Sequence, residues 1–273
     1  MKMTIGPNDK QSMINFLKEM IAHRNLLIQF SMRQISIRYK QAVMGIFWVV
    51  VQPIVTTIIF TFIFGFIAKV PSDGVPYPVF VFAGLSMWQY FSRVVGEASG
   101  SFVSNAGIIT KIYFPRAILP LSTCISAGVD YLISIGVLLV LMLIYGIIPG
   151  WQIVFLPVFF GLSALLAFSI SLWFAPINAL YRDVSFVLPF FIQVWMYLTP
   201  VIYPVSFIPE QYRWLMLLNP LTPLVEGVRW SILGTTPPPN SIDLSISIAI
   251  IIVTMFFGRR VFGRLETVMV DRV

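Results

Sequence analysis

The sequence is poor in the residues that build metal and catalytic centres. It has one cysteine, Cys124, and one histidine, His23, among 273 residues. One cysteine cannot form a disulfide within the chain, and these two residues cannot supply a Cys/His metal site or a His-based triad. No Gly-rich phosphate loop followed by Lys and Ser or Thr occurs, so the chain is not itself an ATPase of that type. The sequence predicts no metal site and no cofactor in this chain.

Charged residues are also scarce. They make up 11% of the chain, whereas 58% of the residues are hydrophobic. This composition excludes an ordinary soluble domain, and the apolar runs exceed the roughly 20 residues needed to cross a hydrocarbon core. The net charge of +7 does not require nucleic acid, because membrane proteins collect Lys and Arg on cytoplasmic loops. We predict an integral membrane protein that binds no nucleic acid.

Apolar runs along the chain predict an all-α membrane domain over residues 42–258. Six transmembrane helices are expected, at 44–68, 79–104, 117–145, 153–180, 184–203 and 242–257. Residues 1–41 form a tail and a helix with one polar and one apolar face, a pattern typical of a helix lying in the membrane interface. Packing of this helix on another subunit is the alternative. Residues 259–273 form a second, basic tail.

The distribution of Lys and Arg predicts the orientation of the six spans. With the N-terminus inside, the inner segments hold fourteen Lys and Arg residues and the outer segments hold three. The positive-inside rule then places both termini in the cytoplasm. It also places the short basic loop 105–116 inside and the Pro-broken segment 204–240 outside. That segment is too apolar for a solvent loop, which indicates a folded plug or gate at one mouth of a pathway.

Charged residues are few inside the predicted spans. Arg93 and Glu97 are one helical turn apart, and Asp130 lies in the middle of the third span. A buried carboxylate is a functional candidate, since burying it without a partner is costly. The favoured interpretation is a structural clamp between Asp130 and Arg93, because a proton relay needs several acids.

Two spans carry aromatic and amide residues at helical spacing. The stripes consist of Trp48, Gln52, Thr56 and Phe60 in the first span, and of Phe186, Phe190, Gln193 and Tyr197 in the fifth. Such stripes can stack on sugar rings and hydrogen-bond to hydroxyls, or they can pack against other helices. The basic loop 105–116 likewise suits either contact with anionic lipids or docking of a cytoplasmic partner.

Several ordered motifs resemble one protein family over most of residues 26–264. They are RYKQAVMGIFWVVVQP (38–53), SMWQYFSRVVGEASGSFVSNAGIITKIYFPRAILPLS (86–122), and YRDVSFVLPF, LTPVIYP and LNPLTPLVEGVR in the last third. The sequence resembles the membrane subunit of type-2 ABC exporters of polysaccharides, which include O-antigen, capsule and teichoic-acid exporters. The resemblance implies a homodimer in the bacterial cytoplasmic membrane, two ATP-binding cassette subunits that bind ATP and Mg, and a lipid-linked polysaccharide substrate.

The resemblance also implies roles for individual residues. Spans one and five would line a channel between two copies, which makes both stripes channel-lining candidates. The cytoplasmic loop would be the coupling helix that docks on the ATPase, with candidates Asn105, Ile109, Lys111, Tyr113, Phe114 and Arg116. Short helices outside would gate the channel, with candidates Ile208, Tyr212, Trp214, Asn219, Pro220, Glu226 and Arg229. Export of drugs or lipids is the alternative function, and a membrane-embedded transferase is a remote one.

Overall fold

A computed structural model of the chain describes residues 13–40 and 45–270. Every regular element in these two ranges is helical, which confirms the predicted all-α class. The α-helices are α1 (Met13–Ala22), α2 (Arg24–Lys40), α3 (Gly45–Phe60), α4 (Tyr77–Ser99), α5 (Ser101–Ser104), α6 (Ala106–Ile109), α7 (Ile118–Ile144), α8 (Leu156–Leu180), α9 (Val184–Leu198), α10 (Trp214–Leu217), α11 (Thr222–Leu233) and α12 (Ser241–Val270). A π-helix (Thr61–Ile67) extends α3, and short 3-10 segments occupy Trp151–Phe155, Val205–Phe207 and Glu210–Tyr212.

Four helical segments in the described residues are long and apolar enough to cross a membrane. They are Phe47–Ile67, Ile118–Ile144, Trp151–Leu180 and Ser241–Glu266. The other two predicted spans differ from these in length or polarity. Helix α9 has 15 residues and spans about 22 Å, because the chain leaves the helix at Thr199 and Pro200. Helix α4 has 23 residues but carries Gln89, Arg93 and Glu97.

Helix α4 lies at the centre of the bundle. It packs against α3, α7, α8 and α11, and its side chains are buried from Tyr77 to Ser99 with few breaks. Large apolar side chains such as Phe80, Phe82 and Phe91 fill this core and are almost completely inaccessible. Because protein rather than lipid surrounds α4, the helix can carry polar residues that a lipid-facing helix would not tolerate.

Helix α2 packs against α7 and against the loop that precedes α7. The ring of Phe30 lies 5.5 Å from that of Phe114, and Gln34 Nε2 donates to Ser122 Oγ at 2.9 Å. The sequence predicts one helix over residues 12–41, but a turn at His23 separates α1 from α2. Residues 1–12 and 41 lie outside the described residues. The second half of this segment is therefore tied to the bundle and is more than a surface helix.

Helix α12 continues well beyond the predicted end of the sixth span at residue 257. It reaches Val270, so Arg259, Arg260 and Arg264 lie on a helix rather than on an irregular tail. Gly258 allows α12 to approach α8 closely, because a Cβ there would lie 2.8 Å from the Ser169 carbonyl oxygen. The indole of Trp173 donates to the Thr254 carbonyl at 3.0 Å and fixes the same contact.

Candidate transport pathway

An ion-pair network joins α2, α4 and α7 toward the lower end of the bundle, the end where α4 finishes and α7 begins. The Arg93 guanidinium contacts the Asp130 carboxylate directly, and Arg93 Nε lies 2.9 Å from Glu97 Oε1. Arg38 of α2 lies 3.2 Å from Glu97 and 3.4 Å from Asp130. The Tyr39 hydroxyl donates to Asp130. Two cations and two anions therefore compensate one another, which offsets much of the cost of removing them from water.

A cavity opens beside this network. Its volume is about 370 Å³, and α3, α4 and α7 supply most of its lining. Trp48 and Gln52 of the first predicted stripe are among the lining residues, together with Arg93 and Asp130. The cavity is thus a polar space inside one chain. It is bordered both by predicted channel-lining residues and by residues of the predicted clamp.

The four residues of the first predicted stripe do not form one continuous surface. The Trp48 side chain is 60% exposed, and Gln52 is also exposed. One turn further on, the Thr56 hydroxyl donates to the Gln52 carbonyl at 2.8 Å and is thereby engaged within its own helix. Phe60 is half-buried and packs edge-to-face on Phe64, with ring centroids 5.8 Å apart. Only the first two members of the stripe face the cavity.

The second predicted stripe lies on an open surface of the single chain. Phe186, Phe190, Gln193 and Tyr197 are all exposed, and Leu188 is the one residue of α9 that is fully buried. The outer face of α3 and its π-helix is also apolar and uncovered, with Ile58, Phe62 and Phe66 exposed. Apolar surfaces of this extent need lipid or another protein chain to cover them.

The loop 105–116 has an exposed side and a side turned toward the core. Ile109 and Phe114 are buried, and the Asn105 amide donates to the Ser101 carbonyl at 2.8 Å. Lys111 and Tyr113 are exposed. Arg116 points toward α12, where its guanidinium lies 3.4 Å from the Glu266 carboxylate. Direct contacts with a partner would therefore come from the surface around Lys111 and Tyr113.

The segment after α9 is anchored to the upper end of the bundle by Asn219. Its amide nitrogen donates to the Leu198 carbonyl at 3.1 Å and to Thr199 Oγ1 at 2.9 Å. Its amide oxygen accepts from Trp195 Nε1 and from the Leu221 backbone N–H. Because this buried amide is fully satisfied, it joins the end of α9 firmly to the start of α11. Pro220 is buried beside it, and its carbonyl accepts from the Ser247 hydroxyl at 2.7 Å.

Arg229 and Glu226 of α11 have different environments although they are one turn apart. Arg229 is 2% exposed and donates to the carbonyls of Phe80, Pro200 and Val201. Burial lowers its pKa to about 9, although Glu226 and Asp73 oppose the shift. Glu226 makes no hydrogen bond or ion pair with any described residue, and burial raises its pKa to about 7.

The remaining members of the predicted gate lie further out. Tyr212 and Trp214 are more than half exposed, and Ile208 is partly buried. The predicted gate thus contains an anchored part, around Asn219 and Arg229, and an exposed aromatic part.

Sequence reasoning missed the residues through which α2 joins the bundle. Gln34, Arg38 and Tyr39 were treated as part of a surface helix, although their polar groups reach α4 and α7. One signal could have found them. Arg38 and Tyr39 lie immediately before the first span, and the chain carries acids in other spans that need a partner. Gln89 and Tyr131 of the cavity were missed because nothing in their spacing separates them from ordinary helix contacts.

The bundle of long apolar helices with paired charges inside it defines a multi-pass integral membrane protein. Residues 25–233 match the model of the family described as ABC-2 type transporter, and the chain belongs to that family. It is 30% identical over 243 residues to the O-antigen export system permease protein RfbA of Klebsiella pneumoniae, covering 89% of this chain and 92% of that protein.

Two further relatives have related names. The chain is 26% identical over 247 residues to the polysialic acid transport protein KpsM of Escherichia coli, covering 87% of this chain and 92% of that protein. It is 22% identical over 232 residues to the capsule polysaccharide export inner-membrane protein CtrC of Neisseria meningitidis serogroup A, covering 81% and 83%. The relatives are therefore proteins of O-antigen export, polysialic acid transport and capsule polysaccharide export, in agreement with the family that the sequence motifs resemble.

Proposed function

We propose that the protein is the permease subunit of an ATP-driven exporter that moves a lipid-linked polysaccharide across the bacterial cytoplasmic membrane. The observation that carries this proposal is the 30% identity to an O-antigen export permease over almost the full length of both chains. The relative that transports polysialic acid also matches over most of its length, so the likeness extends across relatives with different polymers. A polymer too long for a closed pocket needs a continuous channel.

The proposed channel lies between two copies of the chain. The exposed faces of α3 and α9 supply apolar surface for the contact and aromatic rings for the wall, chiefly Trp48, Phe186, Phe190 and Tyr197. Aromatic faces stack on rings without fixing one register, as they do for single-stranded nucleic acids. Weak repeated contacts allow a chain to slide, because no single site holds it strongly.

The energy for transport would come from two ATP-binding cassette subunits that bind ATP and Mg. This chain has no phosphate-binding loop of its own. The exposed surface around Lys111 and Tyr113, between α6 and α7, is the proposed docking point. Since Phe114 and Arg116 tie this loop to α2 and α12, movement of the loop would be transmitted to those helices.

In the proposed topology α4 and α9 also cross the membrane, giving six spans. Both termini and the loop 105–116 then lie in the cytoplasm, as the excess of Lys and Arg indicates. The segment with Asn219 and Arg229 lies on the outer side, where Tyr212 and Trp214 stand at the channel mouth. The shortness of α9 agrees with its position beside a channel rather than in bulk lipid.

Deletion of the gene in its own bacterium, with complementation by the intact chain, tests this proposal. We expect loss of polysaccharide from the cell surface and accumulation of lipid-linked polymer inside, both measured by staining and by lipid extraction. Normal surface polymer with no internal accumulation would refute the proposal. Increased drug sensitivity without a change in polymer would instead support an exporter of drugs or lipids.

A further inference from the structure

The cavity beside the ion-pair network has the size and lining of a small-molecule site. Its volume of about 370 Å³ lies within the range of roughly 300–1,000 Å³ that ligand pockets occupy. Trp48 and Gln52 line it from α3, Gln89 from α4, and Tyr131 and Ser134 from α7. A ring face and several neutral polar groups therefore converge on one space within a single chain.

Three neutral polar groups of this lining have no partner among the described residues. The side-chain amides of Gln52 and Gln89 make no hydrogen bond with any described residue. The Tyr131 side chain is 3% exposed, and its hydroxyl also has no partner among the described residues. Gln52 is exposed and Gln89 is half-buried, but the Tyr131 hydroxyl calls for an explanation, because native proteins rarely leave buried polar groups unpaired. A ligand that offers donors and acceptors supplies one.

The charged groups at the cavity, by contrast, are paired with one another. Arg93 pairs with Asp130 and Glu97, and Arg38 bridges the same two carboxylates. The four side chains carry no net charge, so neither guanidinium is an uncompensated cation for an anion. A phosphate or a carboxylate in the cavity would therefore meet two carboxylates without a free cation, which disfavours acidic ligands.

We propose that this cavity is a binding site for an uncharged sugar residue of the exported polymer. The site lies within one protomer, whereas the proposed channel lies between two. This inference rests on the proposed function and deepens it. Sugar hydroxyls both donate and accept, which matches the amides of Gln52 and Gln89, and the indole of Trp48 can stack on the sugar ring. An acyl chain does not fit, because it would leave the amides and the Tyr131 hydroxyl unpaired.

A binding experiment on the full permease, assembled with its ATPase partner in lipid nanodiscs, tests the site. The probe is a neutral oligosaccharide prepared from the polysaccharide of the same strain after removal of its lipid, and the acidic comparison is oligogalacturonate. Since Trp48 lies at the cavity, binding is followed by tryptophan fluorescence. A Trp48→Phe variant shows how much of the signal comes from that position. Binding of the neutral oligosaccharide with little binding of the acidic one is the expected result.

Two substitutions remove polar groups from the cavity while keeping side-chain size. We expect Tyr131→Phe and Gln89→Leu each to weaken binding by roughly two- to tenfold, the loss of about one hydrogen bond. The matched control is Tyr77→Phe, which removes a buried tyrosine hydroxyl that donates to the Ile202 carbonyl at 2.8 Å, far from the cavity. This control should bind the oligosaccharide as the wild type does.

The Tyr131→Phe variant separates a binding role from a purely structural one. Removing a hydroxyl that has no partner among the residues described should leave the melting temperature unchanged or raised. A drop in affinity without a drop in stability therefore supports the sugar site. Unchanged affinity in both cavity variants overturns it.

The gene-deletion test remains independent of this outcome. Loss of surface polymer on deletion, together with unchanged binding in the cavity variants, refutes the sugar site and leaves the proposed function intact. Normal surface polymer on deletion refutes the proposed function itself.

Discussion

The guanidinium carbon of Arg229 lies 3.7 Å from the centroid of the Phe80 ring. The same side chain donates to the carbonyls of Phe80 and Pro200 at 3.3 and 2.6 Å, and to that of Val201. One buried cation thus joins the start of α4, the turn after α9 and helix α11. The carbonyls at the end of α9 lack helical partners, so this arginine satisfies groups that would otherwise be buried and unpaired.

Replacement of Arg229 by Met should destabilise the protein by roughly 3 kcal/mol, because several carbonyls lose a charged donor. Thermal unfolding of the purified protein in detergent measures the change. The matched control is Arg213→Met, since Arg213 is exposed and its substitution should shift stability by about 0.5 kcal/mol or less. Equal effects of the two substitutions would contradict the anchoring role.

Stability should also depend on the protonation of Glu226. Burial raises the pKa of its carboxyl from 4.5 to about 7, while Arg229 opposes the shift and Asp243 and Asp73 add to it. Between about pH 4.5 and pH 7 the folded protein therefore holds a proton that the unfolded chain has lost. The free energy of unfolding falls as the pH rises through this window. At about 1.4 kcal/mol per pKa unit the effect is at most about 3.5 kcal/mol.

Substitution of Glu226 by Gln removes this titration. The melting temperature of the wild type should fall more between about pH 5 and pH 8 than that of the variant. Glu210→Gln, which changes an exposed carboxyl, should keep the wild-type pH profile. An identical pH dependence in wild type and Glu226→Gln would show that this carboxyl is not the group responsible.

The pair Arg93 and Asp130 should be coupled energetically. Asp130→Asn leaves two guanidinium groups and the Tyr39 hydroxyl with a weaker acceptor, so we expect a loss of roughly 3–5 kcal/mol. The double variant Asp130→Asn with Arg93→Gln should recover part of that loss, because the unpaired cation is gone. Melting temperatures of the four proteins in the cycle give the coupling. Strict additivity would mean that the two side chains do not act together.

Lys111 and Arg116 should respond differently to charge reversal. Arg116→Glu places a second carboxylate beside Glu266 and should lower the melting temperature. Lys111→Glu changes an exposed residue, so stability should hold while association with the ATPase, measured by co-purification, falls. Full association of the Lys111→Glu protein would count against docking at this loop.

The class of the protein and most of its helices followed from the sequence. The length and hydropathy of the apolar runs determine them, since a backbone in lipid must satisfy its own hydrogen bonds and does so as a helix. The end of α9 did not follow, because the fifth span is predicted to reach residue 203, whereas α9 ends at Leu198. The motifs that resemble polysaccharide export permeases pointed to the family to which the chain belongs.

The tertiary structure alone decided which polar groups meet. The sequence predicts that burying the Asp130 carboxylate without a partner is costly. It does not predict that the partners are Tyr39, Arg38 and Arg93, which come from two other helices. The resemblance assigned Arg229 to an external gate, but only the structure shows that its guanidinium is enclosed by carbonyls from distant segments. Helical periodicity tells which residues share a face, but it does not tell what that face contacts. The partner of each polar group therefore depends on the packing of the whole bundle.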